Sequence, residues 1–149
     1  MNAIEIVVRR QMRQKVSALQ TEVLKLPQWQ PETHHYFADG MYCRELPRPA
    51  GALIVGKVHK REHFYMVMCG TVLITNGDEE PIEVTGPKVI VSHPGTKRAV
   101  YAKTDAVCIT VHRTDETDLG RIEDELVEPD SESAYLPGNI LKRIEKCPS

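Results

Sequence analysis

Polar side chains suited to binding or catalysis are concentrated in two short stretches of the chain. They are Lys57, His59, His63 and Tyr65 in the first stretch and Arg98 in the second. Arginine holds a carboxylate or phosphate through two parallel hydrogen bonds, lysine contributes a point charge and tyrosine a hydroxyl. A histidine whose pKa is near its usual value of about 6.5 is a natural general base. The set predicts a pocket for a small anionic ligand. Its ligand-binding residues would be Lys57, His59, His63 and Arg98, and its catalytic residues, in an enzyme, would be His59, His63 and Tyr65.

The same stretches also contain a potential metal site. The candidate ligands are His59, His63 and His93. Zn²⁺ accepts three protein ligands plus water, and Glu62 offers an acidic ligand as a further choice. Against this site, Lys57 and Arg98 place two positive charges in one low-dielectric pocket, where they repel a divalent ion. We therefore expect no cofactor, with a divalent metal such as Zn, Fe or Ni as the alternative.

Composition and cysteine usage indicate a soluble protein of the cytoplasm. The formal net charge of the 149 residues is -2, which gives no support for a nucleic-acid or membrane-surface partner. The sequence has neither a signal peptide nor an apolar run near the roughly 20 residues of a membrane span. No cysteines form a CxxC pair, and Cys69 and Cys108 lie in apolar runs. We expect these two to be small buried hydrophobes in a reducing compartment.

The middle of the chain predicts an all-β domain. Strands are expected at residues 42–46, 52–59, 64–75, 81–84, 88–92, 97–103 and 106–112. Turn residues separate them, and Asn76-Gly77 is a strong hairpin signal. Short strands without intervening helices indicate an antiparallel sandwich or barrel. Residues 28–40 are polar and predict a solvated loop.

Helices are predicted at both ends of this barrel. An apolar stripe consists of Met12, Val16, Leu19, Val23 and Leu26. Its spacing predicts a helix over residues 1–26, docked on the barrel or on a partner subunit, with a dedicated partner-binding helix as the alternative. Thr114 is the expected N-cap of a helix reaching residue 127, and residues 137–144 could form a last short helix. The domains are then 1–27, 28–113 and 114–149.

Residues 51–98 resemble the two sequence motifs of the cupin superfamily. With the first motif anchored on Gly70, its two histidine positions fall on Lys57 and His59 and its glutamate position on His63. With the second motif anchored on Gly95, its histidine position falls on Arg98. The resemblance implies a mainly β protein, an antiparallel jelly-roll barrel with an N-terminal helix and one or two short C-terminal helices.

The resemblance also carries functional expectations. Cupins that hold a divalent metal use three histidines and a glutamate inside the barrel, so the departures at Lys57, His63 and Arg98 imply that the usual site is absent. Two enzymatic alternatives follow: a metal-independent sugar epimerase or isomerase, which uses inward-facing histidines, and a metal-dependent oxygenase. Cupins often pair through a sheet face, which implies a homodimer.

The segments 56–60, 94–98 and 112–118 are also similar to small cupin-like proteins of tailed bacteriophages. This similarity implies a phage origin, with the protein in the host cytoplasm or the virion. It adds a further alternative: a structural or assembly subunit with a vestigial pocket, whose terminal helices make the contacts.

Overall fold

Two antiparallel sheets form the body of the computed structural model, which describes residues 2–76 and 80–142. The elements in chain order are α1 (Ala3–Val23), β1 (His34–Ala38), β2 (Met41–Arg48), β3 (Leu53–Val55), β4 (His63–Cys69), β5 (Thr71–Thr75), β6 (Ile82–Thr85), β7 (Lys88–Ser92), β8 (Ala99–Ala102), β9 (Ala106–Arg113), α2 (Leu119–Leu126), β10 (Tyr135–Leu136), a 3₁₀ turn (Pro137–Asn139) and β11 (Ile140–Leu141). One sheet has the order β1-β2-β9-β4-β7 and the other β3-β8-β5-β6, with β10-β11 as a separate pair. The expected antiparallel all-β domain is confirmed.

The main core lies between the two sheets. Val67 on β4 and Val72 on β5 are fully buried there. Strand β9 alternates strictly, with Ala106, Cys108 and Thr110 facing inward. Each fully buried valine-sized side chain contributes about 1.5–3 kcal/mol through removal of apolar surface from water. A shift of one residue would move the buried side chains to the outer face and lose this free energy. The alternation of apolar and polar residues therefore determines which side of each strand faces the interior.

Helix α1 docks on the barrel. Docking on the barrel or on a partner subunit was the first of the two predictions for this helix. Asn2 caps its first turn in a reciprocal pair with Glu5. Val16 is 1% exposed and packs against β3 and β8 with Leu19 and Val23. The helix ends at Val23, earlier than expected, and Leu26 is exposed. No helix in the described ranges is long and apolar enough to cross a membrane.

The structure corrects two strand predictions on the five-stranded sheet. Strand β1 occupies part of the segment expected to be a loop, and it pairs with β2 along its whole length. The predicted strand 64–75 is two strands, one in each sheet, divided at Gly70. Gly70 has φ +80°, and a Cβ there would lie 2.1 Å from the Asp105 carbonyl oxygen. Only glycine fits this crossing between sheets.

Two other predicted strands are shorter than expected. Residues 52–59 provide only β3, because the chain leaves the sheet at Gly56 and returns to a single bridge between His59 and Val127. Residues 97–103 provide β8, which starts at Ala99. The loop between β3 and β4 thereby carries Lys57 and His59 away from the sheet and towards α2.

The C-terminal predictions are partly wrong. Asp118, rather than Thr114, caps α2, since its side chain accepts a hydrogen bond from the Arg121 amide at 3.0 Å. The Thr114 hydroxyl instead donates to Glu125 at 3.0 Å. The last predicted helix is a 3₁₀ turn followed by β11, and its residues 143 and 144 lie outside the described residues, as does Gly77 of the hairpin signal.

Candidate functional site

A cavity whose wall combines apolar side chains with several charged and polar ones lies between the two sheets, beneath α2 and the C-terminal segment. Among its lining residues are Arg44, Arg48, His59, His63, Tyr65 and Arg98. It offers about 90 Å³ to water-sized molecules. A cavity needs about 10–15 Å³ of such space to hold one water, so this cavity has room for several waters or a small ligand.

Strand pairing brings polar side chains of the five-stranded sheet into two inward-facing rows. One row pairs Tyr42 with His112 and His63 with Ser92. The next row places Arg44, Thr110 and Tyr65 side by side on β2, β9 and β4. Because side chains alternate along each strand, both rows face the same interior.

Buried donors face this cavity without hydrogen-bond partners. Within the described residues, these atoms are Arg48 Nε and Nη1, Arg98 Nη1 and Tyr65 Oη. Arg98 is held by the Ser92 hydroxyl at 3.0 Å and lies over the Tyr65 ring, 4.7 Å from its centroid. The Cys108 thiol beside Tyr65 is a weak partner for a hydroxyl. A buried donor without an acceptor costs about 1–3 kcal/mol, and a charged one more.

Burial sets the protonation states of these donors. It raises the pKa of Tyr65 to about 12, so the phenol stays neutral. It also lowers the pKa of Arg98, although an arginine remains cationic at neutral pH. The cavity therefore presents a hydroxyl donor between fixed guanidinium charges.

Lys57 lies in the cavity wall, as expected, but its charge is neutralised. Its ammonium pairs with the Glu123 carboxylate of α2, and the two side chains are 17% and 20% exposed. The remaining cations of the cavity are Arg44, Arg48 and Arg98. Sequence reasoning missed Arg44 and Arg48. Their four-residue spacing places both on one face of β2, but Arg48 lies beyond the predicted strand 42–46.

Three histidine rings form a compact group at the edge of this cavity. The centroid separations are 4.4 Å for His59–His63, 4.5 Å for His63–His112 and 4.9 Å for His59–His112. Burial lowers the pKa of His59 well below its usual value, lowers that of His63 and brings that of His112 to about 2. All three imidazoles are neutral at pH 7, and sequence reasoning had not included His112.

The other proposed metal ligand, His93, lies away from this group. Its side chain is 57% exposed, and Nδ1 lies 3.3 Å from the Glu62 carboxylate. The motif positions Lys57 and Arg98 do not fit a metal, because both are cations with other partners. Among residues 2–76 and 80–142, the donor set that does fit one is His59, His63 and His112.

The cysteines divide between interior and surface. Cys108 is 2% exposed in the core, as expected, whereas Cys69 is exposed, contrary to expectation. The reason is that Cys69 ends β4 after a register shift that follows Val67, where the inward alternation stops.

Comparisons by sequence give no relative: no protein-family model and no curated protein matches the chain. Solved structures do match. A conserved protein with a double-stranded β-helix domain from Klebsiella pneumoniae has a TM-score of 0.52 at 12% identity, over 66% of this chain and 90% of that one. A cupin superfamily protein from Desulfitobacterium hafniense has a TM-score of 0.50 at 14% identity, over 60% and 83% of the two chains.

An enzyme shares the same architecture. The DMSP lyase DddQ from Ruegeria pomeroyi has a TM-score of 0.50 at 15% identity, over 60% of this chain and 50% of that one. At these identities the likeness concerns the fold alone. It confirms the jelly-roll architecture that the two motifs implied, a double-stranded β-helix of cupin type.

Proposed function

We propose that this chain, whose barrel has the cupin fold, is a binding protein for a small anion such as phosphate or a short carboxylate. The observation that carries the proposal is the group of buried donors on Arg48, Arg98 and Tyr65 that have no acceptor among the described residues. An anionic ligand supplies several acceptor oxygens at once, which is what such donors need.

Charge supports an anion over a neutral ligand. Arg44, Arg48 and Arg98 line the cavity without an ion-pair partner among the described residues, while the lining carboxylate, Glu123, is already paired with Lys57. An uncompensated charge in a low-dielectric site is costly, and an anion relieves that cost when it binds. The cavity volume limits the ligand to a few heavy atoms.

Thermal-shift and calorimetric titrations with inorganic phosphate and with short mono- and dicarboxylates test the proposal. The variants are Arg98→Gln and Arg48→Gln, and the matched control is Arg113→Gln, an exposed arginine at the end of β9. A ligand at about 100 times its dissociation constant stabilises the folded state by about 2.7 kcal/mol. We expect this stabilisation in the wild type and the control, and its loss in the cavity variants. Unchanged affinity in Arg98→Gln would refute the proposal.

Catalysis on the bound anion is a second candidate function. The observation favouring it is a neutral, buried His63 that shares the inward face of β4 with the Tyr65 hydroxyl. In an isomerase or epimerase, His63 would accept a proton from a carbon next to the carboxylate and Tyr65 would donate one. Incubation of each bound carboxylate in D₂O, followed by NMR, should show deuterium incorporation that is lost in His63→Ala.

The protein is also proposed to form a homodimer through the outer face of the five-stranded sheet. Its exposed apolar residues include Tyr36, Phe64, Val89 and Val91, and Phe64 pairs across the sheet with both Val111 and Val91. Five strands about 4.8 Å apart make a face about 24 Å wide. With a length of about 20 Å, two such faces bury on the order of 1,000 Å², the lower limit for a specific interface.

Sedimentation measurements test this interface. We expect Phe64→Glu to be monomeric, while Tyr101→Glu, an exposed aromatic on the other sheet, keeps the wild-type state. The first turns of α1 also expose apolar residues, namely Ile4, Ile6, Val7 and Val8. If the protein is an assembly subunit of a phage particle, as its phage-like segments suggest, Ile4→Ser with Val8→Ser should change the association state instead.

A further inference from the structure

Three elements distant in sequence bring histidines together in one place. His59 comes from the loop after β3, His63 from the first position of β4 and His112 from the end of β9. One ring nitrogen of each lies within 4.8 Å of the others. We propose that His59, His63 and His112 form a site for a divalent transition-metal ion, in which His112 is the third ligand.

The hydrogen bonds of the rings leave nitrogens available for an ion. His63 Nδ1 lies 3.1 Å from the Arg61 carbonyl oxygen, which can only accept, so Nδ1 carries the proton and Nε2 has the lone pair. His112 Nε2 lies 2.9 Å from the Thr110 hydroxyl. When Nε2 carries the proton and donates to that hydroxyl, Nδ1 keeps its lone pair for the metal. Metal-bound histidines usually have this support from a second partner on the other ring nitrogen.

Geometry and ligand type define the class of ion. Imidazole ligands suit Zn²⁺, Co²⁺, Ni²⁺ and Cu²⁺ rather than the oxygen-seeking Mg²⁺ and Ca²⁺. Bonds of about 2.0–2.1 Å in a tetrahedral site hold nitrogens about 3.4 Å apart. The rings therefore need to rotate inward on binding, by an ångström or so at most, and the fourth position remains for water or a ligand oxygen.

The third histidine of the group comes from β9, and not from the cupin-motif positions Lys57 and Arg98, because of where these residues lie. Lys57 is held by Glu123, and Arg98 by Ser92 and Tyr65, so neither position can supply a ligand. His112 faces inward beside His63 because β4 and β9 are neighbours in the sheet. His59 lines both the main cavity and a smaller one that contains His112 and Glu123.

The charges near the site predict coupling to the anion. Arg44 lines the same two cavities as His59, so a divalent ion adds to an already positive region. An anion held by the arginines would offset that charge. Metal and anion should therefore raise each other's affinity by the same factor, as thermodynamic linkage requires.

The test is a titration of untagged, chelator-treated protein with Co²⁺ and Zn²⁺, without any anionic ligand. We expect one equivalent of Co²⁺ with visible d–d bands and one equivalent of Zn²⁺ by calorimetry. His59→Gln and His112→Gln should each weaken binding by about tenfold or more. His93→Gln, the exposed histidine outside the group, should bind as the wild type does.

The outcomes separate this proposal from the anion-binding one. Wild type that binds no equivalent of either ion, or His112→Gln that binds as well as wild type, would overturn the metal site and leave anion binding intact. Near-ultraviolet circular dichroism checks that each variant is folded. His59→Gln, in a loop rather than a strand, is the second variant if His112→Gln fails to fold.

Discussion

The Lys57 ammonium pairs with the Glu123 carboxylate of α2 and closes the cavity wall beside His59. The pair joins the loop after β3 to the C-terminal helix, and both side chains are largely buried. It also removes one positive charge from the cavity, which leaves the arginines as the binding cations.

Removal of the Glu123 carboxylate should therefore destabilise the fold. Glu123→Gln leaves the Lys57 ammonium without its counter-charge, at an expected cost of about 2 kcal/mol in the free energy of unfolding. Urea denaturation measures this. Glu83→Gln, which breaks the exposed pair with Lys103, is the matched control and should cost less than about 0.5 kcal/mol. Equal effects in both variants would contradict the structural role of the Lys57–Glu123 pair.

Arg48→Met should stabilise the protein while removing its ligand response. Arg48 is 6% exposed with unpaired Nε and Nη1, so an apolar side chain of similar length relieves a desolvation cost. We expect a gain of about 1–3 kcal/mol in urea denaturation without phosphate or carboxylates. Added phosphate should then no longer raise the midpoint. A variant less stable than wild type would indicate that Arg48 has a structural role, and Arg113→Met controls for loss of surface charge.

Asp130 accepts a hydrogen bond from Gln20 of α1, and low pH should weaken this attachment by protonating Asp130. Burial alone would raise the pKa of Asp130, but hydrogen bonds from Lys97 at 2.7 Å and from Gln20, together with the Lys97 charge, lower it overall from 3.8. A lowered folded-state pKa gives stability that is present above about 3.8 and lost as the pH falls through the folded-state pKa.

The variant Asp130→Asn measures this contribution. It should be less stable than wild type at pH 7, and the difference should shrink in acid as wild type loses the charge. Urea denaturation at a series of pH values gives the comparison. A difference that stays constant down to the lowest pH would mean that the charge of Asp130 contributes nothing.

Alanine substitutions at Gly70 and Gly51 distinguish the cost of a steric clash from the cost of a left-handed backbone. Both have positive φ, +80° and +89°, but only at Gly70 would a Cβ meet backbone atoms. Gly51→Ala should cost about 1–2 kcal/mol, the usual penalty of a left-handed alanine. Gly70→Ala adds a clash between the strands of two sheets and should cost about 3 kcal/mol or more. Similar thermal midpoints for the two variants would contradict the tight crossing at Gly70.

Local sequence patterns determined the outline of the fold. The alternation of residues 106–112 and the apolar stripe of α1 reflect periods of two and 3.6 residues that act within a single element. They place most strands and the docking of α1. The resemblance to the two cupin motifs, rather than periodicity, grouped Lys57, His59, His63 and Arg98, and the structure places these four and Tyr65 around one cavity. Secondary-structure prediction failed where tertiary contacts, rather than local patterns, determine the structure. Strand β1 is an example: its segment was predicted to be a loop, but it forms a strand because the edge of β2 offers it hydrogen bonds.

Only the tertiary structure decided which groups complete the site. Arg48, His112 and Glu123 come from β2, β9 and α2, and their approach to the motif residues depends on the sheet order and on the docking of α2. The sequence by itself determined that His63 and Tyr65 share the inward face of one strand, because strand periodicity is local. It did not determine that Lys57 is neutralised or that His112 joins His63, because those contacts link segments far apart in the chain.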